Sequence, residues 1–198
     1  FREMGLHVQK DPFTVVGVGD MSGDVFGNGM LLSDTLQLVA AFNHLHIFLD
    51  PTPDPKKSFK ERQRLFKLPR SNWSHYRTEC LSKGAMIIDR QEKSVTLTPE
   101  VKKRFGFQKK SLSPNEIVQT VLQWEADLLW FGGIGTFIKA KEESNAQAGD
   151  RINDDLRVDA IDLRCKVIGE GANLGMTQRA RIEYAANGGH LNTDAIDN

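Results

Sequence analysis

The feature that most constrains this chain is a β-branched run, Phe13-Thr-Val-Val-Gly-Val18, that ends in Gly17-Val-Gly19-Asp-Met-Ser22-Gly23 and passes straight into an apolar-periodic stretch. A short apolar run closed by glycines predicts a buried strand and a tight turn. Val25, Phe26, Leu32, Leu36, Val39 and Phe42 then recur at helical spacing, so a helix is expected from Asp24 to Phe42, with one face on a sheet. Leu45-His-Ile-Phe-Leu49 predicts a second strand, ended by the proline-rich Asp50-Pro-Thr-Pro-Asp-Pro55. Strand, helix, strand with both strands apolar is the βαβ unit of a parallel sheet.

The chain's 198 residues allow one substantial core. Its 39% apolar and 26% charged residues are those of an ordinary globular protein, and no window approaches the roughly 20 apolar residues of a membrane span. Zero formal charge removes any net attraction to nucleic acid or anionic lipid, so a polyanion site has to be local. Cys80 and Cys165 stand in no metal-finger or C-x-x-C spacing, which fits a reducing, cytoplasmic setting. The opening Phe1-Arg2-Glu3-Met4 carries neither an initiator Met nor a signal-like segment and reads as the start of a fragment.

From Lys56 to Lys110 the pattern breaks, and Ala85-Met-Ile-Ile88 with Ser94-Val-Thr-Leu97 predicts a small hairpin inside an inserted segment. Ser113-Pro-Asn-Glu116 is a capping box opening a helix to about Trp124. Ala126–Phe131 reads as the next strand, ending in Gly132-Gly-Ile-Gly135. Asp150 to Val158 reads as loop, Cys165–Gly169 as a strand and Thr177–Ala186 as a helix. The expected fold is α/β and Rossmann-like: an open, mostly parallel sheet with an inserted helical and hairpin segment over about 56–110, one domain across 1–198.

A glycine-rich turn between strand and helix is the context of a dinucleotide fingerprint. Gly17 suits the tight turn, Gly19 the approach of a pyrophosphate, and the helix start the anion. The third glycine position of G-x-G-x-x-G falls on Ser22, so a wider turn or a hydroxyl contact with phosphate is expected. Asp50, closing the predicted second strand, is placed to accept from the adenosine ribose hydroxyls, although its interval from Gly17 exceeds the usual spacing of about 20 residues. A 2′-phosphate about 4 Å from that carboxylate meets repulsion of about 4 kcal/mol at an effective dielectric near 20, which favours NAD over NADP. Asp50 as a simple start to the proline turn, with Asp54 able to share either role, is the competing reading. Gly169-Glu-Gly-Ala-Asn173 follows the last strand, and Asn173 has donors and an acceptor for a carboxamide and a ribose hydroxyl. From the residues alone, a turn with a satisfied Asn reads equally well.

Four separated segments, Gly17-Val-Gly-Asp-Met-Ser-Gly-Asp-Val-Phe-Gly-Asn-Gly-Met30, Phe48-Leu-Asp-Pro51, Ala126-Asp-Leu-Leu-Trp-Phe-Gly-Gly-Ile-Gly-Thr136 and Gly169-Glu-Gly-Ala-Asn-Leu174, together with Ala185-Ala-Asn-Gly-Gly-His190, closely resemble the large bacterial NAD-specific glutamate dehydrogenases. The resemblance implies oxidative deamination of L-glutamate to 2-oxoglutarate and ammonium, with hydride passing to NAD. It implies that the loop residues Gly17, Gly19, Asp20, Met21 and Ser22 hold the pyrophosphate and that Asp50 holds the adenosine ribose. It likewise implies that Gly132 and Gly133 border the cofactor cleft and that Asn173 serves the nicotinamide end. The family's substrate lysines and proton-handling aspartate belong to a preceding domain and have no match here. No catalytic residue is therefore expected in this chain, and the isolated fragment is expected to be inactive. Lys83-Gly84-Ala85 departs from the family pattern, where a second glycine is expected. The implied partners are L-glutamate and 2-oxoglutarate, the rest of the same polypeptide, and further copies in a homo-oligomer. A non-catalytic nucleotide-sensing or interaction module on the same fold is the alternative, since fold alone does not settle function.

The remaining candidates have plainer readings. His44 and His46 lack a third metal ligand and read as edge histidines. Asp150, Asp154, Asp155, Asp159 and Asp162 lack the Gly and Glu of a calcium loop and read as solvated loop and cap carboxylates. Lys56, Lys57, Lys60, Arg62, Arg64, Lys67 and Arg70, with Phe59, Phe66 and Trp73 between them, read as an amphipathic surface helix rather than a nucleic-acid patch. Trp124 and Trp130 are expected in the core.

Overall fold

In the computed structural model, which describes residues 1–197, the first run forms β1 (Phe13–Val18) and the glycine turn leads into α1 (Asp24–Met30). The chain returns as β2 (Leu36–Phe42), β3 (His46–Leu49) and α2 (Pro55–Lys67), followed by β4 (Met86–Asp89), β5 (Val95–Thr96), α3 (Pro99–Phe105), β6 (Ser111–Leu112) and α4 (Pro114–Leu122). The second half supplies β7 (Leu128–Phe131), β8 (Ile138–Lys139), α5 (Asn145–Ala148), β9 (Val158–Asp159), β10 (Val167–Glu170), α6 (Gln178–Ala186), β11 (His190–Leu191) and α7 (Asp194–Asp197).

Seven strands form one sheet in the order β11-β10-β7-β1-β2-β3-β4. β11, β10, β7, β1 and β2 run parallel, while β3 and β4 add antiparallel at one edge. The architecture is thus the expected α/β class with an open, mostly parallel sheet. One face packs on α3, α4 and α6 through Ile117, Val118, Val121 and Tyr184. The other packs on α1 and α2 through Phe26, Met30 and Leu65.

The helix expected from Asp24 to Phe42 ends at Met30, and Leu36–Phe42 is a strand pairing with β1. The apolar positions of this stretch fit helical spacing, but its second half is a continuous apolar run, Leu38-Val-Ala-Ala-Phe42, entirely buried in mid-sheet. Periodicity alone does not separate such a run from a helix. The βαβ unit is therefore β1-α1-β2, and His46–Leu49 folds back antiparallel across a short turn at Asn43. Asn43 builds that turn: its Oδ1 accepts from the amides of Leu45 (2.9 Å) and His46 (2.7 Å).

The hairpin expected between 85–88 and 94–97 also re-pairs: β4 joins β3, and β5 pairs with β6. The capping box at Ser113 forms as read, with Ser113 and Glu116 exchanging bonds at the start of α4. Thr177 caps α6, and Asp54 caps α2 by accepting from the Lys57 amide at 2.8 Å. The proline turn thus leads into a helix. Trp124 is buried, while Trp130 is half-buried on the sheet face that carries α1.

Candidate functional site

Chain order places the site. From β1 the chain moves to β2 on one side, and later inserts β7 on the other side of β1. The carboxyl ends of β1 and β7 are therefore a topological switch point, where doubly wound sheets open a crevice. The two turns meet there: the Gly132 amide donates to the Val18 carbonyl at 2.9 Å, and the Gly19 amide to the Phe42 carbonyl at 2.7 Å. A cleft of about 510 Å³ lies over them, lined by Gly19, Asp20, Ser22, Gly23, Asn43, His44, Arg90, Gly132 and Gly133 among others. A larger hollow of about 670 Å³ lies against the face of β7 and β10, over Leu128, Trp130 and Val167, away from this edge.

The glycines are required by one side chain, Phe26 of α1, which is fully buried. A Cβ on Gly17 would come within 2.4 Å of its ring, and one on Gly132 within 2.5 Å of its backbone Cα. Gly19 combines the same crowding with a φ of 137°, a conformation that side-chain-bearing residues rarely adopt. So helix and both turns close directly on one another, leaving backbone at the floor of the cleft. Gly23 at the start of α1 supplies no side-chain cap bond to the first-turn amides. Because α1 has only seven residues, backbone amides at the turn, not a long helix dipole, are what an anion would meet; in the loop those of Gly19, Ser22 and Gly23 already donate to Phe42 and Asp20, which leaves Asp20 and Met21.

The expected site residues divide. Gly19, Asp20, Ser22, Gly132 and Gly133 line the cleft. Gly17 lies inside β1 and Met21 is buried in the core, so both serve the loop from behind. Ser22 donates its amide (2.9 Å) and hydroxyl (2.5 Å) to Asp20 Oδ1, which closes the turn where a third glycine was missing. Asn173 lies exposed beyond β10, on the same edge, beside a separate hollow with Leu174, Asp194 and Ala195. Leu174 has a φ of 63°, and its carbonyl accepts from Thr136 Oγ1 at 2.8 Å, so this loop is stitched to the one after β7.

Asp50 does not join them. Because β3 runs antiparallel, its end points away from the cleft edge, and the Asp50 amide donates to Val39, well back from the end of β2. The carboxylate is buried against Ser82, whose hydroxyl and amide donate to it. Burial pushes its pKa above the ordinary 3.8, partly offset by those bonds. Its folded value exceeds its unfolded one, so the stability it contributes is complete below about pH 3.8 and is lost as pH rises through the raised value. In urea unfolding across that range, the difference between the chain and Asp50→Asn, which cannot titrate, should shift by this step. A constant difference would contradict the burial.

Several contributors were not foreseen. Trp73, from the basic aromatic segment, is fully buried and donates its indole N–H to the Gly19 carbonyl at 3.0 Å. Arg90, following β4, donates Nη1 to the Asn43 carbonyl at 2.9 Å and forms a cleft wall. Burial pulls its guanidinium below the usual value. Arg157 lies beneath the loop after β7, donating to the carbonyls of Thr136 (3.0 Å) and Asp150 (2.5 Å) and to Asp154 (2.6 Å). Burial opposes charge on Asp150, yet bonds from Asn153 and the Thr136 amide, with Arg157 nearby, hold its carboxyl below the usual range. Asp150, Asp154 and Asp159, read as solvated, are thus engaged in holding loops, Asp159 through Lys139. His44 lines the cleft and His46 sits in β3. Among the described residues, no three His, Cys, Asp or Glu side chains are grouped as a metal would need.

A family model described as bacterial NAD-glutamate dehydrogenase, catalytic domain, matches residues 1–198. The NAD-specific glutamate dehydrogenases of Halomonas elongata and Pseudomonas aeruginosa are each 58% identical over 198 residues, and that of Mycobacterium tuberculosis is 50% identical over 204. Each alignment takes in 100% of this chain but only 12% or 13% of the relative, so the chain spans about one-eighth of their length. Among solved structures, Plasmodium falciparum glutamate dehydrogenase matches with a TM-score of 0.54 at 14% identity, over 97% of this chain and 31% of that one. Plasmodium falciparum glutamate dehydrogenase 2 matches with a TM-score of 0.50 at 14% identity, over 98% and 32%. At that identity the likeness concerns the fold alone.

Proposed function

The chain belongs to the family of bacterial NAD-glutamate dehydrogenase catalytic domains, and from that premise we propose that it is the NAD-binding Rossmann-type part of such an enzyme, with the cleft between β1 and β7 as its cofactor site. The observation that carries the reading is the meeting of two glycine turns at the switch point, Gly19 against β2 and Gly132 against β1, beneath a cleft of about 510 Å³. The cleft fits the group: its floor is backbone, its walls are polar at Asp20, Asn43 and Arg90, and the uncapped start of α1 faces the same turn.

In this reading the Asp20 and Met21 amides bind the pyrophosphate, those of Gly19, Ser22 and Gly23 being engaged in shaping the loop, and Gly132 and Gly133 leave room for it to pass along the sheet edge. Asn173, fixed beyond β10, meets the carboxamide end. The chemistry that NAD supplies when bound is acceptance of hydride, here from the α-carbon of L-glutamate, whose deamination to 2-oxoglutarate and ammonium completes the reaction. The chain's own part is to hold and orient. Substrate-binding lysines and a proton-handling aspartate belong, on the family resemblance, to another part of the polypeptide. The glutamate pair, the remaining polypeptide, further copies in a homo-oligomer, a cytoplasmic setting and a single domain over 1–198 with an added segment at 56–110 form part of the same proposal. No helix among the described residues is long and apolar enough to cross a membrane.

The test is a calorimetric titration of the 198-residue chain with NAD, paired with amide NMR. Saturable binding is expected, with shifts at Gly19, Gly132 and Gly133. Absence of saturation at millimolar NAD, or shifts confined to the Trp130 face, would refute the reading.

A further inference from the structure

We infer that cofactor choice is set by Asp20, held in place by Asn43: this pair takes the unphosphorylated adenosine ribose and turns away a 2′-phosphate. The inference rests on the reading of the cleft as a dinucleotide site and assigns its adenosine end.

The acid expected in this role, Asp50, is buried on the far side of β2 with Ser82. The residue that does follow β2 is Asn43, which carries no charge. Yet a carboxylate is present there. The Gly19–Phe42 bond draws the glycine loop over the end of β2, and Asn43 Nδ2 donates to Asp20 Oδ2 at 2.7 Å. Among the described residues lining the cleft, Asp20 is the one carboxylate.

Its position is determined from both sides. Asn43 is nearly buried, and its Oδ1 is occupied by the amides of Leu45 and His46. An amide so held can present only its NH₂ to the loop. On the other oxygen, Asp20 accepts the Ser22 amide and hydroxyl. The carboxylate is thereby pinned on the β2 side of the loop, away from the Gly132 turn, with Oδ1 filled by Ser22 and one acceptor site of Oδ2 left over for a ribose hydroxyl. A phosphate monoester at that point meets a fixed negative charge. Arg90 is the opposing charge, and one of its donors is already engaged by the Asn43 carbonyl, with Nε buried out of reach.

Both cofactors are titrated calorimetrically onto the chain and three variants, with thermal unfolding confirming that each folds. The unsubstituted chain is expected to bind NAD at least tenfold more tightly than NADP. Asp20→Asn, which keeps the shape and removes the charge, should narrow that ratio by about tenfold or more, equivalent to about 1.4 kcal/mol. Asn43→Ser, which unpins the carboxylate, should narrow it in the same direction and stands in if Asp20→Asn does not fold. Asp50→Asn should leave the ratio unchanged. A ratio that stays fixed in Asp20→Asn, or moves as far in Asp50→Asn, overturns the assignment while leaving the NAD site intact. Failure of the unsubstituted chain to bind NAD at all would instead overturn the underlying reading.

Discussion

Replacing Trp73 by alanine is expected to lower the unfolding free energy by about 3–5 kcal/mol and to weaken NAD binding at the same time. The indole is fully buried, stacks on Phe48 at 4.8 Å between ring centres, and meets Phe26 edge-on at 5.9 Å. Phe26 is the residue on which Gly17, Gly19 and Gly132 all close, so a cavity beside it loosens the floor of the cleft. The indole N–H also fixes the Gly19 carbonyl. Trp73→Phe separates the two contributions: much of the ring packing stays and the donor is lost, for about 0.5–1.5 kcal/mol. Urea unfolding measures the first and NAD titration the second. A loss below about 1 kcal/mol in Trp73→Ala would contradict the packing, and unchanged NAD affinity in Trp73→Phe would free the loop from its dependence on this residue.

Trp73 also shows where reading the residues in order stops. It follows lysines and arginines at helical spacing, and α2 is a helix with Glu61, Arg62 and Leu65 turned inward. Nothing local signals that the chain beyond α2 doubles back to place an indole against a loop whose sequence position is distant. By contrast, β1, the glycine turn and the capping box at Ser113 were legible, because each is specified by neighbours: a β-branched run, a turn needing glycine, and a side chain bonding three residues on. The same locality explains the error over 24–42. Helical spacing was satisfied by chance, while Leu38–Phe42 is apolar throughout because it is buried on both faces in mid-sheet.

The strand at 36–42 also decides which acid is proposed for the ribose. Once Leu36–Phe42 is β2, the residue at its end is Asn43, and the strand that ends in Asp50 runs the other way. A polar residue directly after an all-apolar run, followed by two histidines and another apolar run, is the signal of a hairpin that was available. The partnership of Asn43 with Asp20 was not, since it depends on parallel pairing that brings Val18 and Phe42 level.

Glu170 and Arg181 make the strongest case for a buried ion pair, at the end of β10. Glu170 closes β10 with no exposed surface, and Arg181 of α6 grips both its oxygens, Nε to Oε1 at 2.7 Å and Nη2 to Oε2 at 2.9 Å. Arg181 also bonds Gln178 (3.0 Å) and lies 3.2 Å from Asp194, which accepts from the amides of Leu174 and Ala195. The bond to Glu170, with both carboxylates near, raises the Arg181 pKa. A buried pair gains little over apolar replacement of both partners, but removing one leaves an uncompensated charge and costs about 3–5 kcal/mol. Arg181→Met is therefore expected to lose that much, a drop of roughly 2 M in urea midpoint at about 2 kcal/mol per molar. Glu170→Leu combined with Arg181→Met should recover most of it. Because Glu170 directly precedes the turn that carries Asn173, the single variant should also reduce NAD affinity, and the double variant should keep that defect after stability returns, since α6 no longer holds the turn by charge. A double variant as unstable as the single one would show that packing, not the stranded carboxylate, is what Arg181 supplies.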